Sequence, residues 1–263
     1  MTRRLIINWQ DEKSRRVIPV AELLAMTASG VGPSAAVRYE FGYVEGVREA
    51  RKLGFQAFIA FPEMDRRYTA DRLFPFFQNR VMPTTRPDYL DYVSALGLSP
   101  ETVNDVDLLG RSEAKRHTDR IEMVLAAERH PTTGAYVAHF LARGVRHVEG
   151  AEEVVSAIGP GARVQSELEP TNVVNPRARI LLFEGRPIGY VPDYLVDDLD
   201  ALDANASQPT FTVVRVNPPP APAHHRVLVR LDAAWPAGFE PFAGAAFKPV
   251  VVAGRAGLQP AAV

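Results

Sequence analysis

The chain has 263 residues, of which 46% are hydrophobic and 23% are charged. This composition is typical of a folded globular protein with one large or two medium domains, and it excludes a disordered tail. The formal net charge of −1 excludes the strongly basic composition that is typical of nucleic-acid-binding domains. Neither half is basic, because residues 1–136 contain 19 Lys and Arg against 18 Asp and Glu, and residues 137–263 contain 11 against 13.

The chain contains no cysteine, which excludes disulfides, thiolate zinc sites and thiol catalysis. Its first nine residues hold only a short apolar patch after two arginines, which is shorter than the apolar segment of a secretory signal. No apolar run reaches the roughly 18 residues of a membrane span. We therefore expect a cytoplasmic bacterial protein with no membrane partner.

The first half is predicted to mix short strands with short helices. Strands are predicted at Leu5–Trp9, Ala36–Tyr43 and Ala57–Phe61, from alternating or continuous apolar residues. Helices are predicted at Ala21–Met26 and Asp88–Leu96, and a further helix start is predicted at Ser99-Pro100, from helix-forming and capping residues. Arg120–Ala127 fits either a helix or a strand, and the strand is favoured.

The second half is predicted to consist mostly of strands. They are Ala135–Ala142, Arg163–Leu168, Ala178–Phe183, Pro187–Val191, Thr210–Val216 and Arg226–Leu231. The apolar spacing of Pro192–Leu202 predicts a short amphipathic helix. The fold class is therefore α+β, with a small α+β domain over residues 1–134, a mostly-β domain over residues 135–232 and an irregular tail over residues 233–263.

Three motifs occur in order in the second half. They are RGVRHVEG at residues 143–150, EPTNVVNPRA at residues 169–178 and GRPIGYVP at residues 185–192. Their order and spacing resemble those of the HIRAN family, over a stretch from about Ala138 to Leu202. The resemblance implies a small β-barrel related to the SH3 and OB architectures. In helicase-linked relatives this barrel binds the free 3′ end of single-stranded DNA.

The resemblance also implies site residues. Arg146 falls at a phosphate contact, His147 falls where relatives carry an aromatic ring, and Asn175 falls where a carboxylate meets the terminal hydroxyl. The predicted nucleic-acid-binding residues are Arg146, His147, Asn172, Val174, Asn175, Arg177 and Tyr190. Two positions depart from the family pattern, because Val174 replaces a stacking tyrosine and Asn175 carries no charge. Phosphate contacts by Arg177 and Arg179 are the candidate compensation.

The same residues also have a structural interpretation. Asn172 and Asn175 suit a tight turn, because asparagine tolerates left-handed backbone and caps its own loop. Gly189 within a strand marks a bulge or a close approach of another backbone segment. Solvated arginines at a strand edge are the alternative for Arg177 and Arg179. The motifs therefore predict either a binding site or a way of holding the turn.

The first half resembles the N-terminal region of HipA-type proteins more loosely, through Phe58–Pro62 followed by Leu73–Arg80. This resemblance implies a small α+β domain that contacts another protein. No catalytic motif is found: the loop Gly30–Ser34 lacks the lysine of a phosphate-binding loop. The aspartates from Asp197 to Asp203 fit the polar face of a helix rather than a metal site.

We therefore expect a protein that is not an enzyme and that needs no cofactor or metal. The leading hypothesis is a nucleic-acid-binding protein that recognises single-stranded DNA or a DNA 3′ end through the HIRAN-like domain. The alternative is a protein-interaction module of a HipA-type toxin–antitoxin or defence system. A protein partner of the N-terminal half is compatible with both.

Overall fold

The structure is a computed structural model that describes residues 2–27, 37–116, 118–173 and 175–250. The chain forms two compact units whose segments interleave along the sequence. Unit 1 comprises Met1–Arg86, Asn104–Ala126 and Ala243–Val263, and unit 2 comprises Pro87–Val103 and Ala127–Phe242. These interleaved units do not coincide with the consecutive domains that the sequence predicts over residues 1–134 and 135–232. The predicted domain boundaries stay a prediction. No helix in the described ranges is both long and apolar enough to span a membrane.

The described residues form short strands and short helices. The strands are β1 (Thr2–Gln10), β2 (Val17–Thr27), β3 (Val37–Tyr43), β4 (Tyr68–Ala70), β5 (Ile121–Leu125), β6 (Glu128–Arg129), β7 (Tyr136–Leu141), β8 (Arg163–Leu168), β9 (Arg179–Phe183), β10 (Arg186–Tyr190), β11 (Thr210–Val216) and β12 (Val227–Ala233). The helices are α1 (Val47–Lys52), α2 (Pro75–Gln78), α3 (Tyr89–Ala95), α4 (Asp105–Arg111), α5 (Ala151–Ala157) and α6 (Val196–Ala204). This content confirms a β-rich α+β fold.

Unit 1 contains an antiparallel sheet with the strand order β4-β3-β2-β1-β5. The predicted helix at Ala21–Met26 is wrong, since these residues belong to β2 and pair with β1 on one side and β3 on the other. Pairing on both edges outweighs the helix propensity of this segment. The strand favoured for Arg120–Ala127 is confirmed as β5, which pairs with β1.

A turn rather than the predicted strand occupies Ala57–Phe61. The Tyr43 hydroxyl donates a hydrogen bond to the Phe61 carbonyl and accepts one from the Phe58 amide, both at 2.8 Å. The Phe61 ring stacks on Phe41 with 3.8 Å between ring centroids. Within this run only Phe61 is buried, and Ile59 is fully exposed. The turn is therefore anchored by the Phe61 ring and by the two hydrogen bonds of Tyr43, without a strand partner.

One predicted helix outside the sheets is also wrong. The helix predicted to start at Ser99-Pro100 is a turn, and α4 begins after Asn104, which caps it by accepting a hydrogen bond from the Asp107 amide. The predicted tail contains turns and a 3₁₀ segment, Ala245–Phe247, and Pro249 forms a bridge with Val44. The predicted loop at Gly30–Ser34 lies outside the described residues.

Unit 2 contains an antiparallel sheet with the strand order β10-β9-β8-β11-β12-β7-β6. The predicted barrel is not closed by a continuous ladder; one isolated bridge, Arg143–Tyr190, links the chain beyond β7 to β10. Gly144 follows this bridge with a φ of +66°, a left-handed conformation that ends strand pairing. The amphipathic helix predicted within Pro192–Leu202 is confirmed by α6, whose Val196, Leu199 and Leu202 are buried.

Candidate nucleic-acid interface

The three motifs meet in unit 2 where Arg143 pairs with Tyr190. The two residues exchange backbone hydrogen bonds of 2.8 and 2.9 Å. Gly189 permits this approach, because its φ is +143° and an added Cβ would lie 2.7 Å from the Arg143 carbonyl oxygen. The register of β9 and β10 also shifts at this point, so the predicted bulge and close backbone approach at Gly189 are confirmed.

The side chain of Tyr190 ties the third motif to the second. Its hydroxyl faces Glu169 and Asn172, and burial, followed by the Glu169 carboxylate, raises the pKa of Tyr190. Glu169 also accepts a hydrogen bond of 2.6 Å from the Asn172 amide nitrogen. These three half-buried side chains therefore hold the start of the 169–178 turn against the end of β10. We call residues 143–147, 169–173, 175–177 and 190–193 the three-motif surface.

The two asparagines shape the turn. Asn172 Oδ1 accepts from the Asn175 backbone amide at 3.1 Å, and Asn175 Oδ1 accepts from the Arg177 backbone amide at 2.9 Å. Asn175 Nδ2 donates to Asp193 at 3.0 Å. Both ends of the Asn175 side chain are thus engaged within the protein, as the structural interpretation of these asparagines predicts. Val174 lies outside the described residues.

Arg146 and His147 are exposed on a 3₁₀ turn, Val145–His147, that the buried Val145 anchors. Arg146 Nε donates to His147 Nε2 at 3.0 Å. Within the described ranges, no carboxylate lies at ion-pairing distance from Arg146. This guanidinium therefore presents its charge to solvent, next to the Arg143–Tyr190 bridge.

Arg177 and Arg179 instead contact the aspartates of α6. Arg177 pairs with Asp197 at 2.8 Å and with Asp200 at 2.5 Å, while Arg179 pairs with Asp200 at 2.7 Å and with Asp203 at 2.6 Å. The hydrogen bonds that Arg177 donates to Asp200 and Asp197 raise its pKa. Burial opposes the shift at Asp200, but hydrogen bonds from Arg179 and Arg177 lower the pKa of that carboxyl overall. The predicted phosphate contacts are therefore partly neutralised by α6.

Sequence reasoning missed four residues of this region. Glu169 and Asp193 supply carboxylates on either side of the asparagine turn, and the Arg143 guanidinium lies over the Tyr194 ring, 5.9 Å from its centroid. Their positions in the sequence could have indicated them, because Glu169 and Arg143 each begin one of the three motifs. Asp193 and Tyr194 follow the third motif directly. The described residues contain no group of three side chains suited to holding a metal ion.

No protein-family model and no curated protein matches the chain. Two solved structures match part of it. A protein from Lactobacillus plantarum is 14% identical, with a TM-score of 0.31, over 38% of this chain and 97% of that protein. The HIRAN domain of human HLTF is 16% identical, with a TM-score of 0.29, over 38% of this chain and 74% of that domain.

Likenesses of this size establish neither the fold nor the activity of this chain. Neither structure is described as a HipA-type protein, so the HipA-like interpretation of the first half stays a prediction. The assignment of the predicted site residues likewise stays a prediction, and it depends on the motifs and on the geometry of the three-motif surface.

Proposed function

We propose that this chain binds nucleic acid through the three-motif surface, and that it prefers a single strand with a free 3′-hydroxyl end. The observation that carries the proposal is the meeting of three motifs that are separate in sequence. The backbone bridge between Arg143 and Tyr190 joins the first motif to the third, and the Tyr190 side chain faces Glu169 and Asn172 of the second. The motif resemblance to the HIRAN family supports a nucleic-acid ligand for this surface.

The charges favour a single strand over a duplex. The chain has a net charge of −1, and Arg146 is an exposed cation of the surface, with the half-buried Arg143 next to it. So few phosphate contacts give weak duplex binding that is sensitive to salt. A single strand can add stacking on rings, which contributes about 1–3 kcal/mol per base. His147 and Tyr194 are the rings available beside Arg146 and Arg143.

The carboxylates favour a hydroxyl end over a phosphorylated end. Ionised carboxylates accept hydrogen bonds but cannot donate them, so Glu169 and Asp193 suit a hydroxyl donor and repel a terminal phosphate. In our proposal Glu169 and Asp193 accept the hydrogen bond of the terminal hydroxyl, because the side chain of Asn175 already holds the turn. Two carboxylates, Glu169 and Asp193, are thus candidates for the role that the family resemblance gives to a single carboxylate at position 175.

The test is a fluorescence-anisotropy titration with three 5′-labelled DNA ligands of one sequence. They are a single strand with a 3′-hydroxyl, the same strand with a 3′-phosphate, and a blunt duplex. We expect the hydroxyl-ended strand to bind most tightly and the duplex most weakly. Absence of binding to every ligand at low salt overturns the proposal, and equal affinity for the two single strands overturns its end preference.

A matched pair of arginine variants tests whether nucleic acid binds at the three-motif surface. Arg146→Ala is expected to weaken single-strand binding about tenfold, as expected for the loss of one charge-assisted contact. Arg215→Ala removes an exposed arginine from β11 of the same unit and is expected to leave binding unchanged. Equal losses in the two variants would mean that binding follows general charge and not this surface.

A further inference from the structure

The polar face of α6 contacts the turn at the centre of the three-motif surface. Asp197 and Asp200 both bind Nη2 of Arg177, and Asp200 also accepts from its Nε at 3.2 Å. These partners lie 20 and 23 residues from Arg177 in sequence. The arginine that follows the asparagine turn is therefore held by the helix rather than left in solvent.

Arg177 and Arg179 differ in how firmly α6 holds them. The Arg179 residue is 8% exposed and its ion pairs serve the fold, since removing partners from a buried charge is costly. The Arg177 side chain is 53% exposed, and Asp197 and Asp200 are 59% and 40% exposed. Exposed ion pairs are individually weak, so Arg177 can be released from its aspartates without disturbing the fold, whereas Arg179 cannot.

We propose that Asp197 and Asp200 form an electrostatic latch on Arg177, which lowers the affinity of the three-motif surface for nucleic acid and flattens its response to salt. This inference rests on the proposed function. While the latch is closed, Arg146 supplies the exposed charge of the surface. When the two aspartates are removed, Arg177 adds one phosphate contact. The aspartates of α6 thus set binding strength without touching the ligand.

The variant Asp197→Asn/Asp200→Asn opens the latch by removing both negative charges while keeping side-chain size. Each phosphate contact to a single strand changes the slope of log K against log salt by about 0.7. We expect the variant to bind the hydroxyl-ended strand more tightly at low salt, with a slope steeper by about that amount. Adding Arg177→Ala to this variant is expected to abolish the gain.

Two further variants separate the latch from simpler effects. Asp232→Asn removes a carboxylate that pairs with Arg230 at 2.6 Å within β12, so it frees an arginine elsewhere in unit 2 and is expected to leave the slope unchanged. Asp197→Asn alone spares the ion pairs of Arg179, and a smaller gain in the same direction is expected from it. Trp235 fluorescence during urea unfolding checks that each variant is folded.

The outcomes distinguish the latch from the function on which it rests. If the unaltered protein binds the strand but opening the latch leaves the slope unchanged, the latch is overturned and the function stands. A gain that survives Arg177→Ala, or one equalled by Asp232→Asn, also overturns the latch. If no variant binds nucleic acid, the latch and the proposed function both fail.

Discussion

Unit 1 and unit 2 hold their loops in different ways. In unit 1 the turn at 57–61 is fixed from the core side. Phe61 stacks on Phe41, and the Tyr43 hydroxyl is hydrogen-bonded to the backbone of the turn. In unit 2 the turn at 169–178 is fixed by polar side chains, chiefly Asn172 and Asn175. The first loop is anchored by a buried ring and exposes an apolar tip, Ile59, whereas the second loop is held by surface hydrogen bonds and presents polar groups that a ligand can use.

The largest expected effect that tests this contrast is the loss of the Phe61 ring. Phe61 is 1% exposed and also contacts the rings of Tyr68 and Phe74. Phe61→Ala is expected to lower the free energy of unfolding of unit 1 by about 3–5 kcal/mol, since a large buried cavity remains. Phe61→Leu, which keeps most of the volume, is expected to cost less.

The two tryptophans allow each unit to be followed separately. Trp9 lies in unit 1 and Trp235 in unit 2, so the backgrounds Trp235→Phe and Trp9→Phe leave one reporter each. In urea unfolding, Phe61→Ala should shift the transition seen by Trp9 and leave the transition seen by Trp235 in place. Equal shifts of the two transitions would show that the units unfold together and that the contrast between them is not energetic.

A smaller effect is expected from Gly189 in unit 2. Gly189→Ala places a Cβ 2.7 Å from the Arg143 carbonyl oxygen at a φ of +143°. Backbone strain of this kind costs roughly 1–3 kcal/mol. We expect a lower unfolding midpoint reported by Trp235, together with weaker binding of single strands, because the bridge between Arg143 and Tyr190 is lost.

Gly185 provides the matched control. It has a φ of +76° in the hairpin between β9 and β10, but an added Cβ would meet nothing within 4 Å. Gly185→Ala is therefore expected to cost about 1 kcal/mol from backbone conformation alone and to leave binding unchanged. A binding loss in Gly185→Ala as large as that in Gly189→Ala would contradict the role given to the bridge.

Sequence alone predicts those parts of unit 2 that depend on neighbouring residues. The roles of Asn172 and Asn175 in a turn, the bulge at Gly189 and the helix after Pro192 all follow from the backbone preferences of residues close in sequence. The closed barrel was predicted from the resemblance, and Gly144 ends the pairing that would complete it. Local chemistry thus predicts turns more securely than it predicts sheet closure.

The features that the sequence did not predict depend on contacts between residues that are distant in sequence. The segment Ala21–Met26 has helix-forming residues but becomes a strand because β1 and β3 flank it. No local signal places Pro87–Val103 in unit 2. The pairing of Arg177 with Asp197 and Asp200 was equally hidden, because the aspartates alone fit a solvated helix face. Sequence therefore indicates which residues occupy the surface but not which of them neutralise each other.

The smallest effect is expected at the tip of the polar turn. Val173 is 100% exposed, so Val173→Ser should change the free energy of unfolding by no more than about 0.5 kcal/mol. Any loss of single-strand affinity should be smaller than that of Arg146→Ala, since only an apolar contact with a base is removed. The Trp235 transition and the anisotropy titration measure the two quantities. A stability loss comparable to that of Gly189→Ala would mean that the tip supports the fold of unit 2, and the contrast between a loop anchored by a buried ring and a loop held by surface hydrogen bonds would no longer hold.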